Sequence, residues 1–344
     1  MKQNIIKSMI AMLAGGFLLT TTACENGDQE FDDFSYQTVY FAYQTPIRTI
    51  TLGTDVYSTE LDNQHKCQLQ VTVGGVWKNR QDRTVQLAVD NSLCDGLSFE
   101  DGSPVVPMPA DYYTIANTTV TIKAGDVRGI AEVQLTDAFF ADPKSLDLHY
   151  VIPVKIVQAQ DSILEGKDYM LYAVTYKNKW EGTWICHGTD EIDLNGVKST
   201  VTREAEYLEK NELRAITSGS LTTCDYALFT TVDVDTTKVN AQGNPTTVKD
   251  KKTLTAVLKL TFDANDQCTI TTSTPGCTAS GTGTWEADGA KKAWGDQDRD
   301  LLNLSYTLTF RYTDNGVAKY KTYVTKEALV MQSRGNKFET FNTK

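Results

Sequence analysis

The chain has 344 residues, with 33 Lys and Arg against 44 Asp and Glu and a formal net charge of −11 at pH 7. That balance repels polyanions, so nucleic acid and anionic lipid surfaces are excluded as partners. The length suggests two domains, and the abundance of Thr, Tyr and β-branched residues is the composition of half-buried strands.

At the N-terminus, Lys2 and Lys7 form a short positive region ahead of an apolar run over residues 9–19, of signal-peptide length and too short to span a bilayer. Small residues, Thr21-Thr22-Ala23, then precede Cys24. The arrangement resembles a bacterial lipobox, with Thr21 where Leu or Val is usual. It implies a signal peptide over residues 1–23 and lipidation of Cys24 as the first mature residue. Residues 24–33 carry Glu25, Asp28, Glu30, Asp32 and Asp33. So polar a stretch cannot bury enough surface to fold alone and reads as a flexible acidic tether. It also resembles the surface-export signal of Bacteroidota lipoproteins. The expected location is therefore the outer membrane, facing the cell exterior and attached by the lipid anchor only. Cleavage would remove two lysines and no acid, leaving 31 basic against 44 acidic residues.

The first folded unit is expected over residues 34–178. Its candidate strands are "TVYFAY" (38–43), "CQLQVTV" (67–73), "TVQLAVD" (84–90), "TVTIK" (119–123), "IAEVQLT" (130–136), "YVIPVKIV" (150–157) and "YMLYAVTY" (169–176). Most alternate apolar and polar residues with period two, and Gly, Asp and Pro clusters separate them. Seven short strands over such a length point to an immunoglobulin-like Greek-key β-sandwich. Pro153 within its strand argues for an edge position or a bulge, and "DAFFADPKSL" reads as one short helical turn.

"MPADYYTIANTTVTIKAGDVRGIAEVQL", followed by "FFADPKSLDLHYVIPVKI", resembles the N-terminal domain of a family of Bacteroidota surface lipoproteins. Pro109, Tyr112, Tyr113, Gly125, Tyr150 and Pro153 carry the pattern. The resemblance implies a domain of unknown function found in polysaccharide-utilisation systems, beside SusD-like and SusE-like glycan-binding proteins. It transfers no binding residue, because those Tyr and Pro positions suit a sandwich core and its corners.

The short segment "YKNK" (176–179) implies that the two units abut. The second unit, over residues 179–344, opens with Trp180 and Trp184 and contains the hairpin "YTLTFRYTDNGVAKYKTYVT", with Asp-Asn-Gly at its turn. Further strands are expected at "YALFTTVDV", "TLTAVLKLTF", "CTITTS" and "GTGTWEA", and "NAQGNPTTVKDKK" (240–252) reads as a long polar loop. The strand meander suggests an antiparallel β-barrel or a curved sandwich. The closing "KEALVMQSRG" resembles the C-terminal domain that accompanies the same family. It keeps Leu329, Val330, Arg334 and Gly335 and lacks the acidic residues of that pattern.

Catalytic motifs are absent from the sequence. The three histidines show no metal-ligand spacing, and there is no nucleophile elbow or P-loop. Cys186 and His187 are neighbours on an expected strand, so they should face opposite ways and form no dyad. Six cysteines besides Cys24 permit 15 disulfide pairings. Spacing singles out Cys268 with Cys277, but six free and mostly buried thiols is the favoured reading. Asp296, Asp298 and Asp300 alternate as in a calcium loop but lack its turn Gly and closing Glu, so a solvated loop is expected there. No cofactor is called for.

Trp180, Trp184 and Trp285 are expected in the core. Trp77 and Trp294 stand in polar surroundings, where an indole face can stack on a sugar ring while neighbouring acids bond its hydroxyls. Trp294 with Asp296 and Asp298, and more weakly Trp77, are the candidate glycan contacts. The chain is thus expected to be a non-catalytic surface lipoprotein that binds a polysaccharide or oligosaccharide, or assists a glycan-import complex with SusC/SusD-like partners. An adhesin or assembly component shares these features, and a cryptic glycoside hydrolase is the third reading.

Overall fold

The computed structural model describes residues 32–239 and 244–344. Cys24, the signal peptide and most of the acidic tether lie outside the described residues. The first unit supplies β1 (Thr38–Tyr40), β2 (Pro46–Thr51), β3 (Lys66–Gly74), β4 (Arg83–Val89), β5 (Val106–Pro107), β6 (Tyr113–Ile115), β7 (Thr119–Ile122), β8 (Arg128–Leu135), β9 (Tyr150–Ala159), β10 (Ser162–Ile163) and β11 (Tyr169–Lys177). The second supplies β12 (Gly182–Leu194), β13 (Val197–Arg203), β14 (Glu212–Ser218), β15 (Thr223–Val239), β16 (Pro245–Phe262), β17 (Gln267–Thr272), β18 (Cys277–Trp294), β19 (Gln297–Asp314) and β20 (Val317–Ser333), and the chain ends with β21 (Glu339–Thr340). The protein is all-β apart from short helical turns such as Asp137–Ala141. Among the described residues no helix is long and apolar enough to cross a membrane.

Two sheets make the sandwich, ordered β10-β1-β3-β8-β6 and β21-β2-β11-β9-β4-β7. Period-two burial explains their register: Cys67, Leu69, Val71 and Val73 of β3 all point inward, as do Ala131, Val133 and Leu135 of β8. These apolar faces close on one core with Phe41, Ile152, Val174 and Tyr176. The immunoglobulin-like sandwich expected from the strand pattern is what forms.

Pro153 lies neither at an edge nor in a bulge. β9 is central, between β11 and β4, and the bulge against β4 falls further on, between Gln158 and Ile156. Pro153 is tolerated because its backbone faces the end of β4. Val89 pairs with Val154, and Asp90 N–H donates to the Pro153 carbonyl. The missing N–H therefore points where the neighbouring strand has stopped, and no ladder bond is lost.

The family-pattern tyrosines serve the sandwich. Tyr150 and Tyr112 both donate to Asp142 Oδ2, at 2.6 and 3.0 Å. Tyr113 is buried, and Gly125 takes a positive φ of 91° at a turn.

In the second unit β12 pairs with β14 along one edge and with β20 along the other, so the meander closes into an antiparallel barrel. β13 continues the edge that β14 begins: it pairs with Gly188–Leu194 of β12, while β14 pairs with Gly182–Cys186. Residues 245–252, expected in a loop, belong to β16 and pair with β15. Cross-strand ion pairs reinforce that register, Lys238 with Asp250 at 2.7 Å and Lys249 with Asp235.

The barrel end nearest the sandwich is plugged. Trp180 stacks on Phe262 with centroids 3.8 Å apart, and Trp184 is fully buried. Trp285 packs against the same core, and Cys67, Cys94, Cys186, Cys224, Cys268 and Cys277 are all unpaired. The Cys268–Cys277 bridge is not formed.

Two features join the units. Arg334 is buried and donates to the carbonyls of Leu52 and Thr54 on the sandwich and of Asn178 and Lys179 in the link. After Arg334 the chain leaves the barrel: β21 adds to β2, and Phe341 packs with Phe99 and Val151. The second unit is therefore not continuous to residue 344, because the final apolar residue is buried in the sandwich.

Candidate chamber in the barrel

The strands that form the barrel place charged residues where the alternation calls for apolar ones. On β20, Glu327 occupies the same phase as Leu329 and Met331 and is 5 % exposed. On β12, Asp190 follows Trp184, Cys186 and Gly188 in the inward phase. Arg203 ends β13, and Glu212 and Arg214 open β14. Pairing brings them to one level of the barrel, since Gly188 lies opposite both Arg203 and Glu327. A Cβ at Gly188 would sit 2.7 Å from Glu327 Cα, so only glycine lets β12 and β20 approach there.

Arg203 is the hub. Its Nε donates to Asp190 Oδ2 at 2.8 Å and its Nη2 to Glu327 Oε2 at 2.8 Å. Tyr306 Oη donates to the other Glu327 oxygen at 3.1 Å, Cys186 Sγ lies 3.2 Å from Glu327 Oε2, and Thr325 Oγ1 donates to Asp190 at 2.8 Å. Burial works against the Arg203 charge. The hydrogen bond to Asp190 and the charge of Glu327 outweigh it and hold the guanidinium above its ordinary range. Burial, helped by Glu327, pushes the Cys186 thiol up to about 12 and raises the Tyr306 and Tyr226 phenols well above theirs. Cys186 is thus a protonated thiol, and His187, on the opposite face, pairs with Glu204 instead. The two form no dyad.

Above this floor is a cavity of about 220 Å³ with an apolar and aromatic wall of Leu228, Leu308, Phe310 and Tyr323. Phe229 stands at its lip, 67 % exposed. Arg214, whose Nη2 reaches Glu212 Oε2 at 2.7 Å, has a buried Nε with no partner among the described residues, and the fully buried Tyr226 hydroxyl has none either. Buried polar atoms left unpaired cost about 1–3 kcal/mol each, so this floor is a costly place in the barrel.

The cavity opens sideways. β14 pairs with β15 only over Ile216–Ser218, opposite Cys224–Tyr226, and β15 continues to Val239 with β16 as its sole partner among the described residues. That upper part of β15 crosses to the far side of the barrel. Thr230 Oγ1 lies 2.6 Å from Tyr323 Oη, Lys321 Nζ reaches Thr230 and Thr231, and Val232 and Val234 pack on Tyr312. The strap roofs the chamber and leaves the gap between β14 and β15 as its doorway.

The residues singled out from sequence lie elsewhere. Trp294 ends β18 at the turn to β19 and is half-buried, Asp296 is in that turn with φ 56°, and Asp298 is held by Lys291 and the Lys292 N–H. This hairpin tip is at a rim, but at the plugged end. Asp298 borders a cleft of about 330 Å³ that also touches Thr54 and Asp55 of the sandwich. Asp300 turns inward and accepts from the Asp288 N–H, so the three alternating acids do not converge. Trp77 follows β3 on the sandwich, 55 % exposed, with its backbone N–H donating to Asp33 Oδ1. None of these residues lines the chamber. A further cleft of about 370 Å³ follows the seam near Arg48 and Asn336.

The comparisons agree with this division of the chain. A domain of unknown function, DUF5627, matches residues 179–335, and an N-terminal domain model matches residues 34–163. A protein of unknown function from Bacteroides ovatus, solved by crystallography, is 32% identical with a TM-score of 0.76, and the match covers 90% of this chain and 99% of that one. A second Bacteroides ovatus protein, described as a putative carbohydrate binding protein, is 12% identical with a TM-score of 0.29 over 84% of this chain and 79% of that one, too distant to carry an argument. No curated protein matches the chain.

Proposed function

The chain belongs to the family of the Bacteroides ovatus protein of unknown function with which it shares 32% identity, and from that premise we propose that it is a non-catalytic, lipid-anchored surface protein that binds glycan. The observation that carries the reading is the chamber. An aromatic and aliphatic wall faces a floor of carboxylates and guanidinium groups, which is the two-sided chemistry of a sugar ring with an apolar face and hydroxylated edges. The floor is tied up in internal hydrogen bonds around Arg203, and its thiol is held protonated, so these groups suit holding a ligand rather than transferring a proton or attacking one. Anchoring through Cys24 and a place beside SusC/SusD-like proteins complete the proposal.

The test is affinity electrophoresis of the mature chain through a panel of polysaccharides, with Phe229→Ala and Glu212→Gln as variants. Both residues are substantially exposed, so their loss should not unfold the barrel. Retardation of the wild type that falls at least threefold in either variant supports the reading. Retardation unchanged in both places any glycan site outside the chamber.

A further inference from the structure

Building on the glycan reading, we propose that the chamber seats one uncharged sugar ring at the end of a glycan chain, admitted through the gap between β14 and β15. Three observations carry this. The cavity of about 220 Å³ lies below the roughly 300–1,000 Å³ of pockets that enclose drug-sized ligands, so it has room for one ring. It opens through the gap beside β14 and ends on a closed floor: beneath it lie Cys186 and Tyr226, both fully buried, and the strap of β15 crosses above through Thr230, Val232 and Val234. A ring that enters the gap meets this buried floor end-on, so the geometry favours a chain terminus over the interior of a chain. The charges select further. Asp190, Glu212 and Glu327 outnumber Arg203 and Arg214 by one, and Arg203 is already held by two carboxylates. A carboxylate on the ligand would meet net negative charge, whereas hydroxyls can bond the carboxylates and guanidinium groups that line the cavity.

The experiment has two arms on the mature full chain. In the first, thermal unfolding is followed with free neutral hexoses, 6-deoxyhexoses, pentoses and N-acetylhexosamines, and with hexuronic acids at equal concentration. At least one neutral sugar should raise the melting temperature, and no hexuronic acid should match it. In the second, any polysaccharide that retards the protein is partially hydrolysed to about a tenth of its length. At equal sugar mass it then offers about ten times more ends, so binding per unit mass should rise by about that factor. Retardation that no monosaccharide competes and that shortening leaves unchanged or weaker overturns the terminal-ring proposal while leaving glycan binding intact. Stabilisation by hexuronic acids alone overturns the charge selection. If neither a polysaccharide nor a monosaccharide has any effect, the glycan reading falls with it.

Discussion

The sandwich and the barrel bury their polar groups in opposite places. In the sandwich the central core is apolar, and the buried ionisable groups sit at its ends and corners: Asp142 beneath two tyrosines, Asp62 between Arg48 and the Thr51 N–H, and Arg83 at the start of β4, paired with Asp161 and Asn79. The barrel is apolar at its plugged end, around Trp180, Trp184 and Phe262, and carries an ionic layer halfway along its own axis, beneath the apolar wall of the chamber. A buried ion-pair network is weak evidence for stability, because desolvation offsets most of its attraction. A fold that needed only to be stable would have continued Leu329 and Met331 upward in kind. The charged layer of the barrel borders a cavity, as the sandwich's Arg83–Asp161 pair does not, and is therefore best understood by what it holds.

The comparison breaks most visibly at Arg203. Arg203→Ala leaves Asp190 and Glu327 buried without a counter-charge and should destabilise the barrel by about 3–5 kcal/mol in urea unfolding. Replacing the network together, with Arg203→Met, Asp190→Leu and Glu327→Met, should return stability to within about 1 kcal/mol of the wild type while abolishing retardation by glycan. A triple variant as unstable as Arg203→Ala would mean that the charges hold the barrel itself.

The seam comes next. Arg334 satisfies four carbonyls on both sides of the domain boundary. Arg334→Met should cost about 3 kcal/mol, since hydrogen bonds to a charged group are worth about 1.5–3 kcal/mol each and water can replace some of them. Calorimetry should then resolve two transitions where the wild type gives one. A single shifted transition would show that β21 and the Phe341 contact suffice to couple the units.

A smaller effect separates the domains by pH. Burial pushes the Asp142 carboxyl up, but hydrogen bonds from Tyr150, the Lys144 N–H and Tyr112 outweigh it and hold the group below the usual carboxylate range. A depressed folded value means stability that is fully present above the unfolded value of about 3.9 and lost as pH falls through the folded one. Asp142→Asn should cost about 1 kcal/mol at pH 7. It should also flatten the decline of sandwich stability below about pH 4. An acid profile identical to the wild type would assign that decline to other carboxylates.

The fold was legible because period two survives almost everywhere. All seven strands expected in the sandwich are present, and β15, β19 and β20 follow their predicted runs. Beyond missed strands such as β2 and the start of β16, two features were hidden for physical reasons. The return of Phe341 to the sandwich is a tertiary contact with no local pattern, and Pro153 in a central strand depends on where its neighbour ends. The chamber was half-visible. Glu327 two residues before Leu329, and four before Met331, is an acid in the buried phase of its strand, a signal stronger than an exposed-looking tryptophan. Arg203 and Arg214 gave no such warning, because the interruption between β13 and β14 obscures their phase.

The finest distinction concerns Trp294, the residue that local sequence recommends as a glycan contact. Its indole is half-buried at a hairpin tip, its carbonyl accepts from Arg299 Nε, and the nearby Asp298 faces the seam rather than the doorway. Truncation there removes part of a surface contact and leaves no sealed cavity, so Trp294→Ala should cost under about 1 kcal/mol. Its effect on binding then discriminates between two sites at opposite ends of one barrel. If the chamber is the site, Trp294→Ala keeps full retardation in a glycan gel while Phe229→Ala loses it. If the rim beside the sandwich is the site, the two variants exchange behaviours, and Asp298→Asn weakens binding as well. Loss in both at unchanged melting temperature requires one glycan to reach from the doorway along the barrel to the seam, a span only a polymer can cover, and that result would count against a site for a single terminal ring.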